Sequence, residues 1–147
     1  MRWFVGPAAI LVFASVTLAG CRAPEQGGPG TVTMAGETVA RSRLGAVVAG
    51  VCDAADLAGR NIANARVIFY AQSHDGLHLI ARGLADVDRP AAAALLEAKQ
   101  KVEADFLAPP PGMQVAKDLR RLAEVTRSGL ARFDVGIDPC PISGIAS

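Results

Sequence analysis

The chain of 147 residues is 51% hydrophobic, 20% charged and 5% aromatic, the apolar content of a folded domain and not of a disordered chain. A formal net charge of +1 excludes the strongly basic balance of a nucleic-acid binder, and no surface with interleaved aromatics points to nucleic acid either. The length holds one domain of ordinary size.

Residues 1–20 are set apart from the fold. Arg2 supplies a short positive start, and Phe4 to Ala19 follow without a charge. This run of about 16 residues, interrupted by Gly6 and Pro7, falls short of the roughly 20 that a spanning helix needs. It ends in Leu18-Ala19-Gly20-Cys21, with small side chains where a signal peptidase requires them. The tetrad resembles the lipobox of bacterial lipoproteins. The resemblance covers the first 21 residues and implies a diacylglycerol on the Cys21 sulfur, cleavage before Cys21, and acyl chains such as palmitate in the membrane. Two or more buried chains make a stable anchor. It also implies an extracytoplasmic protein of the cell membrane or envelope. Removing Arg2 with the signal peptide leaves basic and acidic residues equal in number, so the lipid and not the overall charge carries the attachment.

Cys52 and Cys140 remain, and two cysteines in an exported chain are most simply a disulfide. The bond would close a loop of about 89 residues and staple the proline-flanked tail around Cys140 onto the first helix. No C-x-x-C motif is present to suggest a redox pair or thiolate metal site.

Residues 21–38 contain Pro24, Gly27, Gly28, Pro29 and Gly30 and read as a flexible tether, with Val32, Met34 and Val39 able to add a short extended piece. The folded domain is expected over 39–147, as four helices. In the first, Leu44, Val47, Val48, Val51, Cys52 and Ala55 share one face. Gly59-Arg60-Asn61 supplies a stop and then a cap, and the second helix, about 62 to 85, carries Ile62, Phe69, Tyr70, Leu77, Ile80 and Leu84. Its stripe is the least regular, because Arg66 and Ser73 interrupt it and Val67, Ile68 and Leu79 lie off it. Asp88 and Pro90 form a cap and first turn for the third helix, which aligns Ala91, Leu95, Ala98, Val102 and Phe106 and runs to about Leu107. After Pro109-Pro110-Pro111-Gly112, the fourth aligns Val115, Leu119, Leu122, Thr126, Leu130 and Phe133. No stretch alternates with a period of two. The expectation is an all-α, up-down-up-down four-helix bundle, closed by the disulfide.

The two histidines, His74 and His78, stand four apart on the second helix, the spacing that presents two imidazoles to one metal ion. His74-Asp75-Gly76-Leu77-His78 superficially resembles the H-E-x-x-H zinc-protease signature, but Asp75 replaces the glutamate base and Gly76 weakens the turn, so no peptidase is expected. Glu103 on the third helix could complete a two-histidine, one-carboxylate site for zinc or copper. Lys99 argues against that, since it pairs more simply with Glu103 at i,i+4. The plainer expectation for the histidines is hydrogen bonding to water or to a neighbouring helix. Lys117, Arg120, Arg121 and Arg127, with Glu124 among them, share one face of the fourth helix and read as its solvated side. The sequence shows no G-x-S-x-G, phosphate loop or paired carboxylates. The expected function is therefore a non-enzymatic accessory or protein-interaction module with an envelope partner, the alternative being a metal-binding lipoprotein. No cofactor is expected beyond that possible zinc or copper.

Overall fold

The computed structural model describes residues 30–108 and 114–141. The expected signal peptide, Cys21 and the first part of the expected tether lie outside these residues. The described chain is mostly helical, with one small sheet. Strands β1 (Thr31–Met34) and β2 (Glu37–Ala40) precede α1 (Arg41–Ala58) and α2 (Ile62–Ile68). A π-helical turn, Phe69–Ser73, joins α2 to α3 (His74–Val87) as one continuous rod. Then come α4 (Arg89–Leu107), α5 (Val115–Leu130) and a 3-10 turn at Ala131–Phe133.

The hairpin corrects two expectations, the all-α fold and the tether boundary at residue 38. β1 and β2 pair antiparallel with Val32 opposite Val39 and Met34 opposite Glu37. The two-residue connection Ala35-Gly36 has φ of 49° and 75°. Positive φ at both central positions is the turn whose twist suits a tight hairpin, and glycine meets it without steric cost. Met34 and Val39 are buried, and Met34 packs onto Gly83 of α3. The folded unit therefore begins about eight residues earlier than the polar composition of 21–38 implies, because burial of two apolar side chains offsets the ordering of so short a ribbon.

All six residues expected on the inner face of α1 are buried. Its neighbour, the α2–α3 rod, approaches closely because glycine stands at two contacts. A methyl group added at Gly50 would lie 2.5 Å from Ser73 Oγ, and one at Gly76 would lie 2.1 Å from Val47 Cγ2. Both glycines cost helix propensity, about 1 kcal/mol each, and both allow the backbones to meet. Gly76→Ala is expected to destabilise the domain by about 1–3 kcal/mol through overpacking. Combining it with Val47→Ala should cost less than the sum of the two single changes, a coupling measurable by chemical denaturation of the four species.

The helix boundaries follow the expected signals. Asn61 Oδ1 accepts from Asn64 N–H at 3.1 Å, and Asp88 Oδ1 accepts from Ala91 N–H at 3.0 Å, capping α2 and α4. The core draws Val48, Val51, Phe69, Leu77, Ile80, Leu95, Val102, Leu119 and Leu122 from α1, the π-helical turn, α3, α4 and α5. α1 packs on α5 and on the α2–α3 rod, α3 on α4, and α4 on α5. The chain then runs without regular structure to a disulfide between Cys140 and Cys52, whose Cα atoms are 5.4 Å apart. No helix among the described residues is long and apolar enough to cross a membrane.

Candidate functional site

The site is set by the π-helical turn. Ala65, Phe69, Ser73, Leu77 and Ala81 are all buried, a stripe that repeats every four residues. On a regular α-helix Ala65 and Ala81 would point about 160° apart, so the stripe would leave the core. One extra residue in the wide turn brings them within about 60°. The His74 N–H accordingly donates to Phe69 O, five residues back. The hydroxyl of Ser73 is buried in this turn and donates to Val47 O of α1 at 2.9 Å. The wide turn therefore explains why Ser73, which seems to break the apolar stripe, belongs to it. It also explains why Tyr70, two turns before Leu77, is turned outward, 42% exposed.

His74 opens α3 immediately after this turn. Its ring lies between two carboxylates, with Nε2 3.1 Å from Glu103 Oε1 on α4 and Nδ1 3.1 Å from Asp75 Oδ1. Glu103 Oε1 also receives Lys99 Nζ at 2.7 Å. Lys99 is 3% exposed, so its ammonium is buried against the carboxylate that anchors His74. The His78 ring packs edge-on to His74, with centroids 4.9 Å apart. Against them pack the buried rings of Phe69 and Phe106 and the exposed ring of Tyr70, a continuous aromatic cluster with Tyr70 and His74 centroids 5.2 Å apart and Phe69 and Phe106 5.7 Å apart.

The three residues expected as metal ligands thus converge, but Lys99 occupies one side of the carboxylate they share. Among the described residues no group of three or more histidine, cysteine or acidic side chains has metal-holding geometry. His78 instead lines a polar cavity of about 360 Å³ with Glu37, Arg43, Asp75 and Arg82. The aromatic cluster and the burial of Lys99 are the features that sequence reasoning missed. The i,i+4 spacing signals the Lys99–Glu103 pair but carries no signal of its depth.

Loss of solvent, then the positive charges of Lys99 and His74, lower the His78 pKa below its ordinary 6.5. The Tyr70 pKa is raised, by burial first and then by the Glu103 carboxylate. For His78 the unfolded chain takes up its proton at higher pH than the folded one. Its contribution to stability is therefore complete above the unfolded pKa and is lost as pH falls toward the folded value. An NMR titration should place the His78 midpoint below 6.5. His78→Gln should make the thermal midpoint fall less between pH 7.5 and pH 5.

Of the four basic residues expected on the outer face of α5, the three arginines are engaged. Arg120 pairs with Asp56 at 3.3 Å, Arg121 with Glu124 at 3.0 Å, and Arg127 Nε donates to Ile137 O at 2.8 Å. No family profile, no curated protein and no solved structure matches this chain.

Proposed function

We propose that this chain is a lipid-anchored, extracytoplasmic helical protein that acts as a non-enzymatic accessory or interaction module in the cell envelope. The carrying observation is the distribution of its cysteines. Cys21 ends a lipobox-like tetrad, and the two others pair with each other, Cys52 with Cys140. Such a bond suits an oxidising compartment outside the cytoplasm.

Within this reading the helices form an up-down-up-down bundle. The contacts Asp56 with Arg120 and Arg41 with Asp134 support opposite directions for α1 and α5. Lys101 with Asp118 and Arg132 with Asp88 support the same for α4 and α5. The partner-facing surface is assigned to Tyr70 and its surroundings, since Tyr70 and Val67, one turn before it, expose apolar area beside the His74–Glu103 contact.

The full chain purified from bacterial membranes should give, by mass spectrometry, an acylated N-terminal Cys21, and Cys21→Ala should abolish membrane retention. An intact Met1 would overturn the anchoring. A photo-crosslinker at Tyr70 should yield a discrete adduct with an envelope protein. Absence of any adduct at native abundance would count against the interaction role.

A second reading, zinc or copper binding, is favoured by the 3.1 Å approach of His74 Nε2 to Glu103 Oε1 with His78 beside it. A divalent ion there must displace Lys99 from Glu103. Full-length protein in detergent, equilibrated with zinc or copper(II), should hold stoichiometric metal that His74→Ala/His78→Ala loses. Equal, negligible retention in both proteins would remove this reading.

A further inference from the structure

The segment from Asp134 to Pro141 crosses from the end of α5 to α1. Its first half is held without the disulfide. Val135 is buried and its N–H donates to Leu130 O at 3.2 Å, the Arg41 guanidinium donates to Asp134 O, and Arg127 Nε donates to Ile137 O. Beyond Ile137 the described attachment is the Cys52–Cys140 bond.

Cavities flank this segment on both sides, and each cysteine lines a different one. Cys140 lines a cavity of about 600 Å³ with Ala123, Pro139, Pro141 and the guanidinium-bearing Arg120 and Arg127. Glu124 also lines it, but its carboxylate is taken by Arg121. Cys52 lines a cavity of about 450 Å³ together with Asp53 and Asp138. Cys52 is nearly buried and Cys140 partly exposed.

We propose that Cys140 is the thiol-exchange site of a reducible latch, opened by an extracytoplasmic dithiol protein. A thiolate is the attacking species in such exchange. Arg127, whose partner is the uncharged Ile137 carbonyl, attracts it toward the Cys140 sulfur, with a smaller share from Arg120 because Asp56 pairs it, whereas Asp53 and Asp138 repel it from Cys52. In the first step the reductant's thiolate forms a bond to Cys140 sulfur, and the Cys52–Cys140 bond breaks. Cys52 leaves as a thiolate and takes a proton. The reductant's second thiol then loses a proton and attacks the sulfur of its own mixed disulfide. That step releases the Cys140 thiolate, which is protonated in turn. Two electrons pass to the protein, and the reductant becomes a disulfide. Residues 138–141 are then freed from α1, while the hydrogen bonds at Asp134, Val135 and Ile137 keep the first half of the segment in place.

The test treats oxidised full-length protein, in detergent and without denaturant, with a large excess of reduced glutathione. Acid quenching at short times, alkylation and peptide mapping follow. The expected product carries glutathione on Cys140 and the alkylating group on Cys52. Arg127→Gln should slow its formation several-fold and Arg120→Gln by less, effects that weaken as salt is added. Hydrogen exchange after reduction should show lost protection in the turn of α1 that carries Cys52, with α3 and α4 unchanged. Adducts mainly on Cys52 would overturn the assignment of the attacked sulfur. Reduction that proceeds only as fast as global unfolding would overturn the latch and leave a structural bond.

Discussion

Glu103→Ala is expected to destabilise the domain by about 3–5 kcal/mol, the range for leaving a buried charge without its partner. Lys99 Nζ lies 2.7 Å from Glu103 Oε1, and Lys99 is almost wholly covered. Without the carboxylate, the ammonium must be desolvated unpaired, shed its proton, or pull away from the core and disturb the packing of α4. His74 loses its contact with α4 in the same substitution. The informative companion is Lys99→Met in the Glu103→Ala background. Methionine fills much of the volume and needs no counter-charge, so the double variant should recover a large part of the loss. Urea unfolding of the wild type, both single variants and the double gives the coupling directly. If Glu103→Ala costs less than about 1 kcal/mol, the pair behaves as a solvated surface ion pair, and its place in the candidate site is lost.

Replacing both bridging cysteines, Cys52→Ser with Cys140→Ser, is the other large effect. The two residues are 88 apart in sequence, so the bond constrains most of the unfolded domain. The chain-entropy argument gives about 4–5 kcal/mol for a loop of this size, an upper figure because it neglects residual structure in the unfolded chain. The helical circular dichroism of the folded protein should be almost unchanged, since the α1–α5 core contacts of Val48, Val51, Leu119 and Leu122 do not depend on the bond. The denaturation midpoint should fall, and the slope should rise as the unfolded chain expands. A collapse of the helical signal in native buffer would mean that the bond holds the bundle itself together.

Helices with strong local signals were legible in the sequence. The α1 stripe, the Asn61 and Asp88 caps and the pairing of Cys52 with Cys140 are local patterns or simple arithmetic, and each is present in the structure. The hairpin was not legible. Its strands are four residues long, and its turn is Ala35-Gly36, without the asparagine or aspartate that usually marks positive φ at the first position. The wide turn escaped for a different reason. A helical wheel assumes a constant 100° per residue, and one wider turn puts everything after it out of phase, so Tyr70 no longer shares a face with Leu77 and turns outward. For the candidate site, the His74–Glu103–Lys99 association followed from spacing. The depth of Lys99 did not, because it depends on which side of α4 the rod of α2 and α3 covers.

The turn at Phe69–Ser73 also marks where this chain tolerates a change of length. Removing one residue from an α-helix ordinarily swings everything beyond it by about 100° and turns the inner face outward. Here the rod already holds one residue in surplus. Deleting Ala71, which is exposed, would let the rod close into a uniform α-helix with Ala65 and Leu77 still facing the core. What would change is the outer surface, where Tyr70 and His74 would lose their present spacing. A deletion at this one point would therefore remodel the outer surface around Tyr70 and His74 while sparing the interior, whereas an insertion would turn the inner face outward as in any other helix.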